Sequence, residues 1–117
     1  MKNSHLVECG FYIPICRDAI LSDGQIHSAE VWAWLDNDLF ILFGGRTVAP
    51  GLYEGFYPDP ESGERVDDQS RRYEVAIPDS ELPILRELLV QACDWFEQKC
   101  IYLSVAGVVE FVQRRQK

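Results

Sequence analysis

The sequence predicts an α+β domain whose elements follow the order strand, helix, strand, strand, helix, strand. Apolar and aromatic residues recur at every second position in segments near both ends of the chain, as strands with one buried face require. Two longer segments between them repeat leucines at helical spacing. With 117 residues, 47% of them hydrophobic and 26% charged, the chain fits a single globular domain spanning residues 1–117.

The first half of the chain predicts one strand and one helix. Residues 7–16 alternate between apolar and other side chains and are rich in aromatic and β-branched types, which favours a strand. A turn at Asp23-Gly24 follows, and Ser28 is a typical N-cap for a helix that runs to about Phe43. Gly44 supplies the left-handed residue that commonly ends a helix.

The second half predicts a hairpin, a second helix and a last strand segment. Residues 46–57 favour a strand broken by Pro50-Gly51 and Gly55, and residues 71–77 favour a partner strand beyond a long polar tip. A second helix begins near residues 78–80 and runs to about residue 99. Residues 100–112 then predict a strand in which Ala106-Gly107 marks either a bulge or a break into two short strands.

This element order is typical of a ferredoxin-like β-α-β-β-α-β sandwich, an antiparallel sheet with both helices on one face. The opposite face of the sheet is then open. Such faces commonly bind a ligand or another protomer. The candidate ligand or interface residues on that face are Tyr12, Arg72, Glu74, Tyr102 and Ser104.

One block of the sequence resembles a known group. Phe43-Gly44-Gly45-Arg46-Thr47 is similar to the F-G-G-x-T block of small uncharacterised bacterial proteins with the same outline. Further shared features are the early strand with its Asp23-Gly24 turn, Gly55-Phe56-Tyr57, and Phe96-Glu97-Gln98 before the last strand. The resemblance implies a complete protein and implies no activity, since none is assigned to that group.

Charge and cysteine usage exclude several classes of function. A net charge of −8 disfavours binding to nucleic acid and to anionic lipid. No apolar run reaches membrane-spanning length, and the start MKNSHLVECG lacks the apolar core of a secretory signal. The four cysteines match no common zinc spacing and are expected to be free thiols in a reducing compartment. We therefore expect a cytoplasmic protein without metal or cofactor.

Two further groups of residues are candidates for contacts. Arg46 and Thr47, after the glycine pair, suit either an anion contact or a plain helix C-cap, and the carbonyls of a helix C-terminus favour the cap. Aromatic and acidic residues expected to face a partner are Trp32, Tyr53, Tyr57, Asp67 and Asp68. Trp32 and Trp34 flank opposite sides of the first helix, so we expect one of them, Trp32, to be partly exposed or to contact another subunit.

The function favoured by these observations is non-catalytic. Two histidines without a nucleophile elbow give no catalytic constellation. We therefore predict an interaction or regulatory protein of the inhibitor, antitoxin or immunity type, which self-associates as a dimer and binds a basic protein partner. The alternative is a small-ligand-binding or enzymatic ferredoxin-like protein whose site lies on the open sheet face.

Overall fold

The computed structural model describes residues 5–59 and 61–116 and confirms the predicted α+β class. Its elements are listed in chain order: β1 (Leu6–Pro14), α1 (Ala29–Phe43), β2 (Thr47–Val48), β3 (Tyr53–Pro58), β4 (Arg65–Pro78), a short 3-10 turn (Asp79–Glu81), α2 (Leu82–Trp95), β5 (Cys100–Val105) and β6 (Val108–Gln113). Within the two described ranges, no helix is both long enough and apolar enough to cross a membrane.

The strands form one antiparallel sheet in the order β2-β4-β1-β5-β6, with β3 also paired to β4. At its centre β1 pairs with β4 along its whole length, from Leu6 opposite Pro78 to Pro14 opposite Ser70. On its other edge β1 pairs with β5. Counting β2 and β3 as one interrupted strand gives the ferredoxin-like strand order, and β6 adds a hairpin to its edge.

The core lies between one face of this sheet and the two helices. Cys9, Phe11 and Ile13 of β1 are fully buried, and the Phe11 ring stacks on Tyr73 of β4 at 5.3 Å. Leu35 of α1 is also fully buried in the same cluster. Leucines of α2 complete this cluster. The intervening strand residues point away from the helices, as the period-2 pattern predicts. We call the face they form the open face.

Trp32 is partly buried against the core, and its contact with another subunit stays a prediction. The Trp32 ring lies 4.9 Å from Phe96 and stacks at 6.5 Å on Tyr73. Trp34 packs on the other side of Phe96, at 6.4 Å, and stacks on Trp95. The aromatic residues at the end of α2 therefore give both flanks of α1 something to pack against, which a helical projection of α1 alone does not reveal.

Several element boundaries differ from the sequence prediction. Helix α2 ends at Trp95, because Glu97 adopts a left-handed conformation (φ 49) and the Gln98 amide donates to the Cys93 carbonyl at 2.9 Å. Gly55 does not break β3. The last segment forms two strands, because Ala106 and Gly107 both have positive φ and make a tight hairpin turn.

The largest difference is the length of β4. The strand has 14 residues, whereas β1 has 9, so residues 65–69 extend past the sheet and pair only with β3. We call β3 together with residues 65–69 the arm. All six residues of β3 are exposed. The arm makes the molecule elongated, with extents of 52 × 33 × 28 Å.

Replacing Phe11 with alanine should lower the free energy of unfolding by about 3–5 kcal/mol, because the change leaves a cavity in a fully buried site. Phe111→Ala is the matched control, since Phe111 is 57% exposed on β6 and its loss should cost less than about 1 kcal/mol. Urea unfolding followed by circular dichroism measures both. Equal losses for the two variants would contradict the placement of the core.

Candidate functional site: the groove beside the arm

A groove of about 730 Å³ runs between the arm and the loop that follows β1. Ligand sites for drug-sized molecules are commonly about 300–1,000 Å³, so the groove has room for a small molecule. The lining includes Pro14 at the end of β1, Cys16 and Asp18 of the loop, and Tyr57 and Asp68 of the arm. Gln98, which follows α2, also lines the groove.

The strand alternation makes this groove a continuation of the open face. Tyr53, Gly55 and Tyr57 point to the same side of β3, and Asp68 lies directly opposite Gly55. The Tyr53 ring contacts Tyr12 of the open face at 5.4 Å. Tyr57 and Asp68 therefore extend the open face beyond the point where β1 ends.

Asp68 and Tyr57 are two acidic groups of the groove whose pKa values are raised by folding. Burial, together with the charge of Asp67, raises the pKa of Asp68 above its ordinary value. Burial and the charges of Asp68 and Asp18 raise the pKa of Tyr57 to about 12. Among the described residues, no cation pairs with Asp68. The groove thus holds a half-buried carboxylate without a counter-ion beside a phenol that keeps its proton.

The cations that line the groove are already paired. Arg17 makes a bidentate ion pair with Asp23, with donor–acceptor distances of 2.7 and 2.9 Å. Arg65 donates to Asp67 at 2.9 Å and lies over the Phe56 ring at 4.2 Å. Because these guanidinium groups are neutralised locally, the field in the groove is set by acids that have no ion pair among the described residues, Asp18, Glu54 and Asp68, and it favours a positively charged ligand.

Gln98 supplies a fixed hydrogen-bond acceptor. The side chain is 4% exposed, and its Nε2 donates to the carbonyls of Cys16 and Phe96, both at 2.8 Å. These bonds hold the amide in one orientation and leave Oε1 as the remaining polar atom of a side chain that lines the groove. An oxygen held in this way can accept from a ligand amine or hydroxyl without further ordering.

The residues predicted for the open face do lie together. Tyr12 is opposite Arg72 in the ladder, its ring lies 4.9 Å from Tyr102, and the Arg72 guanidinium sits 5.1 Å above it. Arg72 Nε donates to Glu74 at 3.1 Å. Ser104 is opposite Gly10, whose missing side chain leaves room for Arg72. Their role in binding stays a prediction, and their position is the end of the open face next to the arm, where Tyr12 meets Tyr53.

The other candidate residues are dispersed. Arg46 is held by Asp36 through two bonds of 3.0 Å, and Thr47 is exposed in the two-residue strand β2. Gly44, with φ of 84, caps α1, which is the plainer of the two interpretations of this turn. Trp32 is on the helix side of the sheet, whereas Tyr57 and Asp68 belong to the groove.

His27 is a structural residue outside the groove lining. It is 8% exposed, its Nε2–H donates to the Pro14 carbonyl at 2.8 Å, and its ring meets Trp32 and Phe96 edge-on. Burial lowers the pKa of His27 and so favours the neutral imidazole, although the bond to the Pro14 carbonyl acts in the opposite direction. It fixes the end of β1, from which the groove loop departs.

Comparison with known proteins gives structural matches only. The sequence matches no protein-family model and no curated protein sequence, so the resemblance to proteins with an F-G-G-x-T block stays a prediction. A phage SAM lyase in complex with S-methyl-5'-thioadenosine is similar with a TM-score of 0.70 and 10% identity, over 100% of this chain and 96% of the other. A phage SAM lyase in the apo state is similar with a TM-score of 0.55 and 10% identity, over 100% and 97%. At this identity, the likeness shows the fold.

These structures correct two predictions. The expected non-catalytic protein of the inhibitor, antitoxin or immunity type is wrong, because the chains that share this fold over their full length are enzymes, one with a bound small molecule. The expectation that the chain is not an enzyme is overturned by the same finding. The alternative, a ligand-binding or enzymatic ferredoxin-like protein, is the better supported. The non-catalytic prediction rested on the lack of a catalytic motif, which does not exclude an enzyme.

Asp68→Asn should stabilise the folded protein at neutral pH. Because folding raises the pKa of Asp68, this group's contribution to stability is full below its ordinary pKa of 3.8 and is lost as the pH rises through the raised value. Removing the charge therefore raises the urea midpoint at pH 7, and the gain over the original protein shrinks as the pH falls towards 3.8. A lower midpoint for Asp68→Asn at pH 7 would contradict the environment described for this carboxylate.

Proposed function

We propose that this protein is a lyase that cleaves S-adenosylmethionine (SAM) in the groove beside the arm and releases S-methyl-5'-thioadenosine. The observation that carries the proposal is the full-length match, with a TM-score of 0.70, to a SAM lyase that holds this thioadenosine. The groove supports it independently, through its size and through the unpaired carboxylate of Asp68.

The groove chemistry suits a sulfonium ligand. SAM carries a fixed positive charge on sulfur, and Asp68 is a half-buried anion without a competing cation among the described residues. The Tyr57 ring adds a surface that can face the sulfonium or stack on the adenine. Gln98 Oε1 can accept from the ammonium group or from a ribose hydroxyl.

The bond that breaks is the one between sulfur and the four-carbon amino-acid chain. Sulfur takes the bonding pair and becomes the neutral thioether of S-methyl-5'-thioadenosine. The carbon it leaves accepts a pair from the substrate's own carboxylate oxygen and closes a five-membered lactone. No water, added base or protein nucleophile is consumed, which fits a groove without a catalytic constellation.

The protein's part in this reaction is to bind and orient. Asp68 holds the sulfonium while the half-buried groove replaces bulk water around it. Folding SAM so that its carboxylate approaches the carbon from the side opposite sulfur is a problem of orientation, which binding contacts solve. Charge disappears as the bond breaks, and the neutral thioether is then held less tightly by Asp68.

Two further expectations join the proposal. We place the reaction in the cytoplasm, supported by four free thiols, of which Cys9 and Cys93 are buried. We also retain self-association, supported by exposed apolar residues on the open side of β6, where Phe111 is 57% and Val109 is 47% exposed. Light scattering coupled to size-exclusion chromatography measures the assembly directly.

The purified protein should convert SAM to S-methyl-5'-thioadenosine, detected by liquid chromatography. Asp68→Asn should lower kcat/KM about a hundredfold, because it removes the charge that the sulfonium meets. Activity should also fall in acid, as the pH drops through the raised pKa of Asp68 and the carboxylate is protonated.

Asp67→Asn is the matched control. Asp67 is the next carboxylate along the same strand and also borders the groove, but its side chain is 67% exposed and already paired with Arg65. Its replacement should change kcat/KM less than about threefold. No thioadenosine from the original protein, or equal losses for both variants, would overturn the proposal.

A further inference from the structure

The arm is a structure that needs an anchor. Two-stranded hairpins are marginally stable in water, and residues 65–69 have β3 as their pairing strand. At the base of the arm, the Ile15 amide donates to the Gln69 carbonyl at 2.9 Å. This bond fixes one end of the arm and leaves its far end to be held by other contacts.

Lys99 holds the far end. Its Nζ donates to Asp59 Oδ1 at 3.1 Å and to Glu61 Oε1 at 2.8 Å, across 40 and 38 residues of sequence. The Asp59 side chain is 4% exposed and that of Lys99 is 22% exposed, so this contact is more protected than the other ion pairs of the protein. A shielded pair resists screening by salt and contributes more than an exposed one.

Asp59 also organises the turn at the end of the arm. Its Oδ2 accepts from the amides of Glu61 and Ser62 at 3.0 and 2.9 Å. These backbone bonds, with the contact to Lys99, lower the pKa of Asp59 to about 2. The carboxylate of Asp59 therefore joins the turn to the sheet, because Oδ2 binds the amides of the turn and Oδ1 binds Lys99.

Lys99 itself is firmly placed. Its carbonyl accepts from the Arg114 amide at 2.9 Å, which ties it to the end of β6. It stands directly between Gln98, which lines the groove, and Cys100, which begins β5. The arm is thus attached to the body at its base and at its far end, and Tyr57 and Asp68 lie between the two attachments.

We propose that Lys99 is a positioning residue for the groove: by binding Asp59 and Glu61 it holds the arm across the groove, so that Tyr57 and Asp68 face the ligand. The effect on catalysis rests on the proposed SAM lyase function, whereas the effect on the arm does not. Lys99 acts through the arm and makes no contact with the reacting atoms.

The test compares Lys99→Met with Lys99→Arg. Methionine keeps the length and the apolar stem but removes the charge, and arginine retains a cation that can reach both acids. Hydrogen exchange of the ligand-free protein, read by mass spectrometry, should be at least about tenfold faster in residues 54–58 and 65–69 of Lys99→Met, with exchange in β1 unchanged. Lys99→Arg should restore most of the protection.

Ligand measurements complete the test. For Lys99→Met, the KM for SAM should rise about tenfold while kcat changes less than about threefold, because a loosened arm weakens binding before it alters the reacting groups. Arg115→Met is the control, since it removes an exposed ion pair with Glu87 that does not touch the arm. It should leave both exchange and kinetics unchanged.

Unchanged exchange in the arm of Lys99→Met would overturn the inference, whatever the kinetics. If Lys99→Met fails to fold, Glu61→Gln weakens the same attachment at a side chain that is 78% exposed and should produce a smaller rise in exchange. A protein that turns over no SAM, but whose arm loosens as described, would refute the proposed function and leave Lys99 as the arm's anchor.

Discussion

The antiparallel ladder between β1 and β4 is the constraint on which the rest of the structure depends. Its register, from Leu6 opposite Pro78 to Pro14 opposite Ser70, assigns every residue of both strands to the core or to the open face. A shift by one position would bury Arg72 and expose Tyr73. The same ladder creates the groove, because β4 continues where β1 stops and carries Asp68 out past the end of the sheet.

The distribution of charge over the protein leaves the groove negatively charged. The net charge of −8 is spread over many acids, yet several arginines are matched to acids, as in Arg17 with Asp23, Arg72 with Glu74 and Arg86 with Glu110. Asp68 differs from those partners because burial and a neighbouring acid raise its pKa. A carboxylate held in this way costs stability, and a cationic ligand removes that cost when it binds.

The sequence predicted the sheet and its open face but missed the arm, for a physical reason. Alternation around Phe11 and Tyr73 is clear because one face of each strand is buried. Residues 65–69 are mostly polar on both sides of the strand and show no alternation of buried and exposed side chains. The sequence therefore suggests a turn where the structure has a strand paired with β3. Lys99 was equally hidden, because its partners lie 38 and 40 residues away. The sequence favoured a non-catalytic protein because a site that works by orientation and charge would need no nucleophile motif.

The central claim is that S-methyl-5'-thioadenosine binds between the arm and the β1 loop, and titration of the ¹⁵N-labelled protein with this compound tests it most directly. We expect chemical-shift changes concentrated at Tyr57, Asp68 and Gln98, with little change around Thr47, which pairs with Glu74 of β4 at a distance from the arm. Saturable changes confined to the Thr47 side, or none at millimolar concentrations, would contradict the account.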